Sequence, residues 1–75
     1  MQALITYLAR ALVRHPDDVL VEEEQDGDRV VLYLYVHEDD KGRVIGRDGR
    51  IASAMRSLLH VAATRAGVRA ALDIE

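Results

Sequence analysis

Cysteine, tryptophan and phenylalanine do not occur in this chain, and proline occurs once, at Pro16. Without cysteine there is no disulfide staple and no thiolate metal site, which suits a reducing compartment. Long hydrophobic runs are missing as well. The apolar opening from Ala3 to Ala9 is broken by Arg10 and Arg14, and it falls far short of the roughly 20 residues that span a bilayer. No small-residue cleavage site follows it, so it does not read as a secretory signal. The expectation is a cytoplasmic protein with no membrane association.

Catalytic equipment is sparse too. At 75 residues the chain has room for one domain, residues 1–75, with a thin core, since a domain this small buries only about 60% of its unfolded surface. A deep substrate pocket needs more wall than that. Ser53, Ser57 and Thr64 have no neighbouring base that the sequence identifies, so no nucleophile is expected. His15, His37 and His60 are scattered without metal-ligand spacing. Glu38-Asp39-Asp40 reads as a helix cap with a solvated acidic neighbour rather than a metal site. No small-molecule substrate, cofactor or metal is expected, and an enzyme is the weakest reading.

What is present is unevenly distributed. The net charge of −3 is unpromising for a nucleic-acid binder, whose affinity rests on neutralising phosphates. Between Asp17 and Asp40, however, ten acids face Arg29 alone, for a net −9. From Lys41 to Arg56 the bases Lys41, Arg43, Arg47, Arg50 and Arg56 face only Asp48, for a net +4. A local positive field attracts an anion even on an acidic protein.

Apolar spacing at Leu4, Ile5, Leu8, Ala11 and Leu12 predicts a helix from Gln2 to about Arg14. His15-Pro16 ends it, because proline disfavours helical geometry in its predecessor. Val19 to Gln25 reads as a strand, and Asp26-Gly27 signals a hairpin. The next run alternates, with Val30, Leu32, Leu34 and Val36 on one side and Val31, Tyr33 and Tyr35 on the other. Asp39 or Asp40 then caps a short helix reaching Ile45. Ile51, Ala54, Met55, Leu58, Leu59 and Ala62 trace the strongest helical stripe, stopped by Gly67. Val68 to Ile74 is a final strand with Ala70, Leu72 and Ile74 on one face. A two-helix crossover before it permits parallel pairing. The expected architecture is α+β: an α-β-β-α-α-β order with helices packed on one face of a three-stranded mixed sheet.

Between the short and the long helix lies Gly46-Arg47-Asp48-Gly49. Glycine permits a sharp turn and close approach of a ligand, and the loop opens onto the positive end of the long helix. Arg47 sits at the tip, with Arg43 and Arg50 close by. Such a group holds a phosphate backbone but does not by itself choose a base.

Val44-Ile45-Gly46-Arg47-Asp48-Gly49-Arg50-Ile51 resembles the V-I-G-x-x-G-x-x-I signature of KH domains, with the isoleucine one place early. The element order is similar to the type II, bacterial KH topology. The whole chain, including the opening helix with its His-Pro ending, resembles the small bacterial single-KH proteins of the KhpA type. That resemblance implies single-stranded RNA, with Gly46, Arg47, Asp48 and Gly49 clamping the backbone of about four nucleotides. It implies backbone contacts from Lys41, Arg43 and Arg50, with Val44 and Ile45 as an apolar wall for the bases. A post-transcriptional regulator or RNA chaperone is the corresponding function. One departure is Asp48, since many KH loops carry a basic or neutral residue there, and a carboxylate beside phosphates weakens binding.

Two other readings compete. In one, the chain is a protein-interaction subunit, a homodimer or a heterodimer with a larger KH protein whose partner supplies most of the RNA affinity. The tyrosine side of the sheet is then either a self-association surface or an ordinary half-exposed face. In the other, the helices around Gly46 form a DNA-binding helix-turn-helix. Against that, the second helix starts with Ile51, Ala52, Ser53 and Ala54, which read few base edges.

Overall fold

The computed structural model describes all 75 residues. Its elements are helix α1 (Gln2–Leu12), strands β1 (Leu20–Asp26) and β2 (Arg29–Tyr35), helices α2 (Lys41–Ile45) and α3 (Arg50–Ala66), and strand β3 (Arg69–Ile74), with single 3-10 turns at Pro16–Asp18, Glu38–Asp40 and Arg47–Gly49. No helix is long and apolar enough to cross a membrane.

The sheet order is β1-β2-β3. β1 and β2 are antiparallel, from Leu20 opposite Tyr35 to Asp26 opposite Arg29. Gly27 begins the connecting turn at φ 64°, a conformation glycine adopts without Cβ strain. β3 runs parallel to β2, with Val30 beside Ala70 and Leu34 beside Ile74, as a crossover through two helices allows. Fold class, element order and mixed pairing all match the sequence-based expectation.

Alternation decides which side of the sheet is covered. Val21, Val30, Leu32, Leu34 and Leu72 are buried, and Ile5, Ala9, Val44, Met55 and Leu59 complete the core from the helices. Each buried Val, Leu, Ile or Met side chain contributes about 1.5–3 kcal/mol relative to exposure. Two exposed edges are partly closed by side chains: Gln2 Nε2 donates to the Val21 carbonyl, and Arg56 Nε and its terminal nitrogen both donate to the Leu72 carbonyl at 3.2 Å.

Three local expectations are corrected. α1 stops at Leu12, two residues early, and Ala9 rather than Ala11 lies in the core. In α3 the buried stripe is Ala52, Met55, Leu59 and Ala63. Ala54 and Leu58 are exposed, because two alanines facing the sheet bring the helix axis close and turn the larger Leu58 outward. Arg56, counted with the basic cluster, is committed to the β3 carbonyl.

Candidate nucleic-acid interface

The turn between α2 and α3 is built from backbone constraints before any ligand is considered. Gly46 has φ 75° and ψ 173°, a region essentially reserved for glycine. A Cβ there would lie 2.3 Å from Ile51 Cγ1 and 2.9 Å from the Ile51 nitrogen. Ile51 is therefore a wedge seated where Gly46 has no side chain. The Gly46 N–H donates to the Gly42 carbonyl at 2.8 Å, and the Gly49 N–H to the Gly46 carbonyl at 3.2 Å. Both N–H groups are thus engaged within the turn itself.

Asp48 and Gly49 follow with φ of 57° and 75°. Asp48 is the sole non-glycine residue in the chain with positive φ, and aspartate and asparagine enter that region more readily than other side chains. The loop geometry thus gives a physical reason for the carboxylate in a basic loop. Asp48→Asn should keep the turn and remove the charge, tightening the binding of an unstructured RNA about threefold in an anisotropy titration. Unchanged or weaker binding would show that the carboxylate does not face the phosphates.

Lys41, Arg43, Arg47 and Arg50 are all exposed. None has a carboxylate within 4.0 Å: the one arginine or lysine that does is Arg10, beside Asp17, and the other close contacts to carboxylates come from His15 and His37. Four unpaired cations thus surround the loop at the positive end of α3. The apolar pair beside them divides. Val44 is fully buried in the core, so it supports the loop from beneath and offers no wall to a base, while Ile45 is 41% exposed.

Behind the loop lies an arrangement the sequence did not disclose. Neither Asp39 nor Asp40 caps α2 with its side chain. Asp40 is buried and accepts from Arg14 N–H at 3.1 Å, His15 N–H at 3.0 Å and His15 Nδ1 at 2.9 Å. The physical reason is upstream: once α1 ends ahead of Pro16, the amides of Arg14 and His15 have no helical carbonyls. Asp40 thereby ties the end of α1 to the start of α2. His37 instead caps the 3-10 turn Glu38–Asp40 that precedes α2, its Nδ1 accepting from Asp39 N–H at 3.1 Å.

Burial pushes the Asp40 carboxyl up, but the hydrogen bonds from Arg14 and His15, with the His15 charge, outweigh it and hold it below its ordinary 3.8. A depressed folded value means stability that is present above about pH 4 and lost as pH falls through the folded value. Asp40→Asn should lower Tm by about 10 °C at neutral pH and flatten the acid limb of the stability curve. An unaltered acid limb by circular dichroism would place that titration elsewhere.

The fold also gathers two histidines that looked scattered. His15 and His37 stack with ring centroids 4.0 Å apart and planes 18° from parallel, and with Asp39 they bring ligand-type atoms within 4.8 Å of one another. A ligated ion lies in the plane of each imidazole that binds it. Nearly parallel, stacked rings have no such shared point, so this geometry does not suit an ion. His60 is exposed on α3.

A three-stranded mixed sheet backed by helices, with a glycine-bounded cationic turn between the second and third helix, defines a KH domain. Residues 2–74 match the family described as KhpA/KhpB, KH domain, and the chain belongs to that family. It is 50% identical over 74 residues to the RNA-binding protein KhpA of Halalkalibacterium halodurans, covering 99% of this chain and 97% of that protein. The RNA-binding protein KhpA of Treponema pallidum is 44% identical over 73 residues, covering 97% and 91%, and that of Bacillus subtilis 35% over 74 residues, covering 99% and 91%. Among solved structures, Aquifex aeolicus Era bound to GDP.AlF4- superposes with a TM-score of 0.66 at 16% identity, over 97% of this chain and 28% of Era. Era in complex with MgGDPNP and a 16S ribosomal RNA segment gives 0.56 at 19%, with the same coverage. This chain spans little more than a quarter of those Era chains, and the likeness shows the fold alone.

Proposed function

We propose that the chain is a non-catalytic protein that holds single-stranded RNA in the cytoplasm, as an RNA chaperone or post-transcriptional regulator, through the Gly46–Gly49 loop. The observation that carries this reading is the set of four exposed, unpaired cations around a turn whose backbone leaves no room for a Gly46 side chain. Relatives covering nearly the whole chain are named RNA-binding proteins, which supports it.

Arg47 at the tip, with Arg43, Arg50 and Lys41, engages the sugar-phosphate backbone by charge-assisted hydrogen bonds, and the N-terminal end of α3 adds its dipole. Gly49, whose absent Cβ would meet nothing within 4 Å, leaves the backbone open to a closely approaching strand. Ile45 presents the apolar contact, with Val44 holding it in place from the core. Asp48 reduces affinity without redirecting the strand.

The test is fluorescence anisotropy with short unstructured RNA across a salt series. Each phosphate contact to a single strand contributes about −0.7 to the slope of log K against log salt, so about four contacts give a slope near −3. Duplex DNA should compete poorly. A flat salt dependence, or equal competition by duplex DNA, would refute the clamp.

A further inference from the structure

The outer face of the sheet carries no helix, and its composition is unusual. Leu20, Val31, Tyr33 and Tyr35 form an apolar and aromatic centre, with Leu20 opposite Tyr35. Glu22 lies opposite Tyr33 and Glu24 opposite Val31, and Asp73 is beside Tyr33 on the other flank. Glu75 continues past β3, its N–H bonded to the Leu34 carbonyl at 2.9 Å. A shallow depression of about 260 Å³ is lined by Glu22, Glu23, Glu24, Tyr33, Tyr35 and Glu75. Tyrosine rings ringed by carboxylates, on an uncovered surface, favour an occupant of positive charge.

Three kinds of occupant are distinguishable by charge. RNA is repelled, because the carboxylates surround the rings on which bases would stack. A second copy placed face to face about a two-fold axis sets Glu22, Glu24, Asp73 and Glu75 against themselves. A second copy placed head to tail would dock its cationic loop here, but such a contact would bury the proposed clamp. An arginine-rich segment of a different protein meets every feature. Guanidinium planes stack on tyrosine rings, fork onto carboxylates, and lay their methylene stems on apolar surface.

We propose that the outer sheet face centred on Tyr33 and Tyr35, and rimmed by Glu22, Glu24, Asp73 and Glu75, docks an arginine-rich segment of a protein partner. The RNA-binding loop lies in the helix layer on the opposite side of the sheet, so both faces are usable at once. The crowded carboxylates have a measurable signature. Glu24, followed by burial and by Asp73 and Glu75, raises the Tyr33 hydroxyl pKa above 10.0 against the opposing effect of Arg29. Burial first, then Glu22 and Glu75, raises that of Tyr35. A bound guanidinium should lower both again in an ultraviolet titration.

The probe is a short fluorescein-labelled peptide alternating arginine and glycine, titrated with the full chain by anisotropy beside its lysine and glutamate counterparts. The expected order is arginine tighter than lysine, with no binding of the glutamate peptide. The double variant Glu22→Gln/Glu24→Gln should weaken the arginine peptide roughly tenfold. A control carrying the same charge change elsewhere, Asp17→Asn/Asp18→Asn, should stay within about twofold, and all three proteins should bind RNA alike. Amide shift mapping on the native chain gives a second readout, with the largest peptide-induced changes at Glu22, Glu24, Tyr33 and Asp73. Equal weakening by both double variants would reduce the effect to net charge and overturn the proposal. So would an absence of peptide binding, peptide shifts centred elsewhere, or self-association of the native chain that the Glu22→Gln/Glu24→Gln variant alters.

Discussion

Arg47→Asp should lower the affinity for unstructured RNA about thirtyfold while leaving the thermal unfolding midpoint within a few degrees of the native chain. Arg47 is exposed, and no carboxylate approaches it within 4.0 Å, so the fold does not depend on it. Loss of one charge-assisted phosphate contact weakens binding by about 1.5 kcal/mol, and the new repulsion beside Asp48 brings the total to about 2 kcal/mol. The salt slope should fall by about 0.7 at the same time. Anisotropy titration and a melting curve on the same preparations read all three quantities. Equal RNA binding by two folded proteins would mean that the loop serves only as a turn.

Gly46→Ala should instead act on folding. Its Cβ would sit 2.3 Å from Ile51 Cγ1 and 2.9 Å from the Ile51 backbone nitrogen, and the φ and ψ of the site exclude a side chain on their own. The combined strain and displacement of Ile51 should destabilise by about 3 kcal/mol or more. A domain of this length has only about 4–11 kcal/mol of stability, so chemical denaturation should show a large loss or outright unfolding. Gly49→Ala is the comparison. With nothing within 4 Å of the added Cβ, only the cost of a left-handed alanine remains, about 1 kcal/mol. The two glycines are therefore not equivalent: Gly46 is required by the turn, and Gly49 chiefly leaves space above it. Similar losses in the two variants would contradict that division.

The periodic features of this chain were legible because they answer to local rules. Alternation along Val30–Val36 identified the covered side of the sheet, and the Asp26-Gly27 pair located the hairpin. The glycine-bounded loop was visible as a motif, with its cations beside it. What escaped depended on elements distant in sequence. No local signal says that Asp40 turns inward to receive the amides of Arg14 and His15, more than twenty positions away. The same return of the chain stacks His15 on His37. In α3 a 3.6-residue period allows two neighbouring stripes, and the periodicity favoured the one containing Leu58. Packing chose Ala52 and Ala63, where small side chains let helix and sheet approach. Val44 escaped for the converse reason: its place in the motif suggested an RNA contact, whereas its position on α2 points it into the core.

Both proposed surfaces follow from the segregation of charge on the two sides of one sheet. Cations gather at the loop in the helix layer, and carboxylates gather around Tyr33 and Tyr35 on the outer face. Amide shift mapping with unstructured RNA tests the central claim most directly, because every residue reports in a single titration of the native chain. The expected changes are largest from Lys41 to Ile51, small at Glu22, Tyr33 and Tyr35, and suppressed by added salt. Changes centred on the outer sheet face, or spread evenly over the chain, would contradict the clamp.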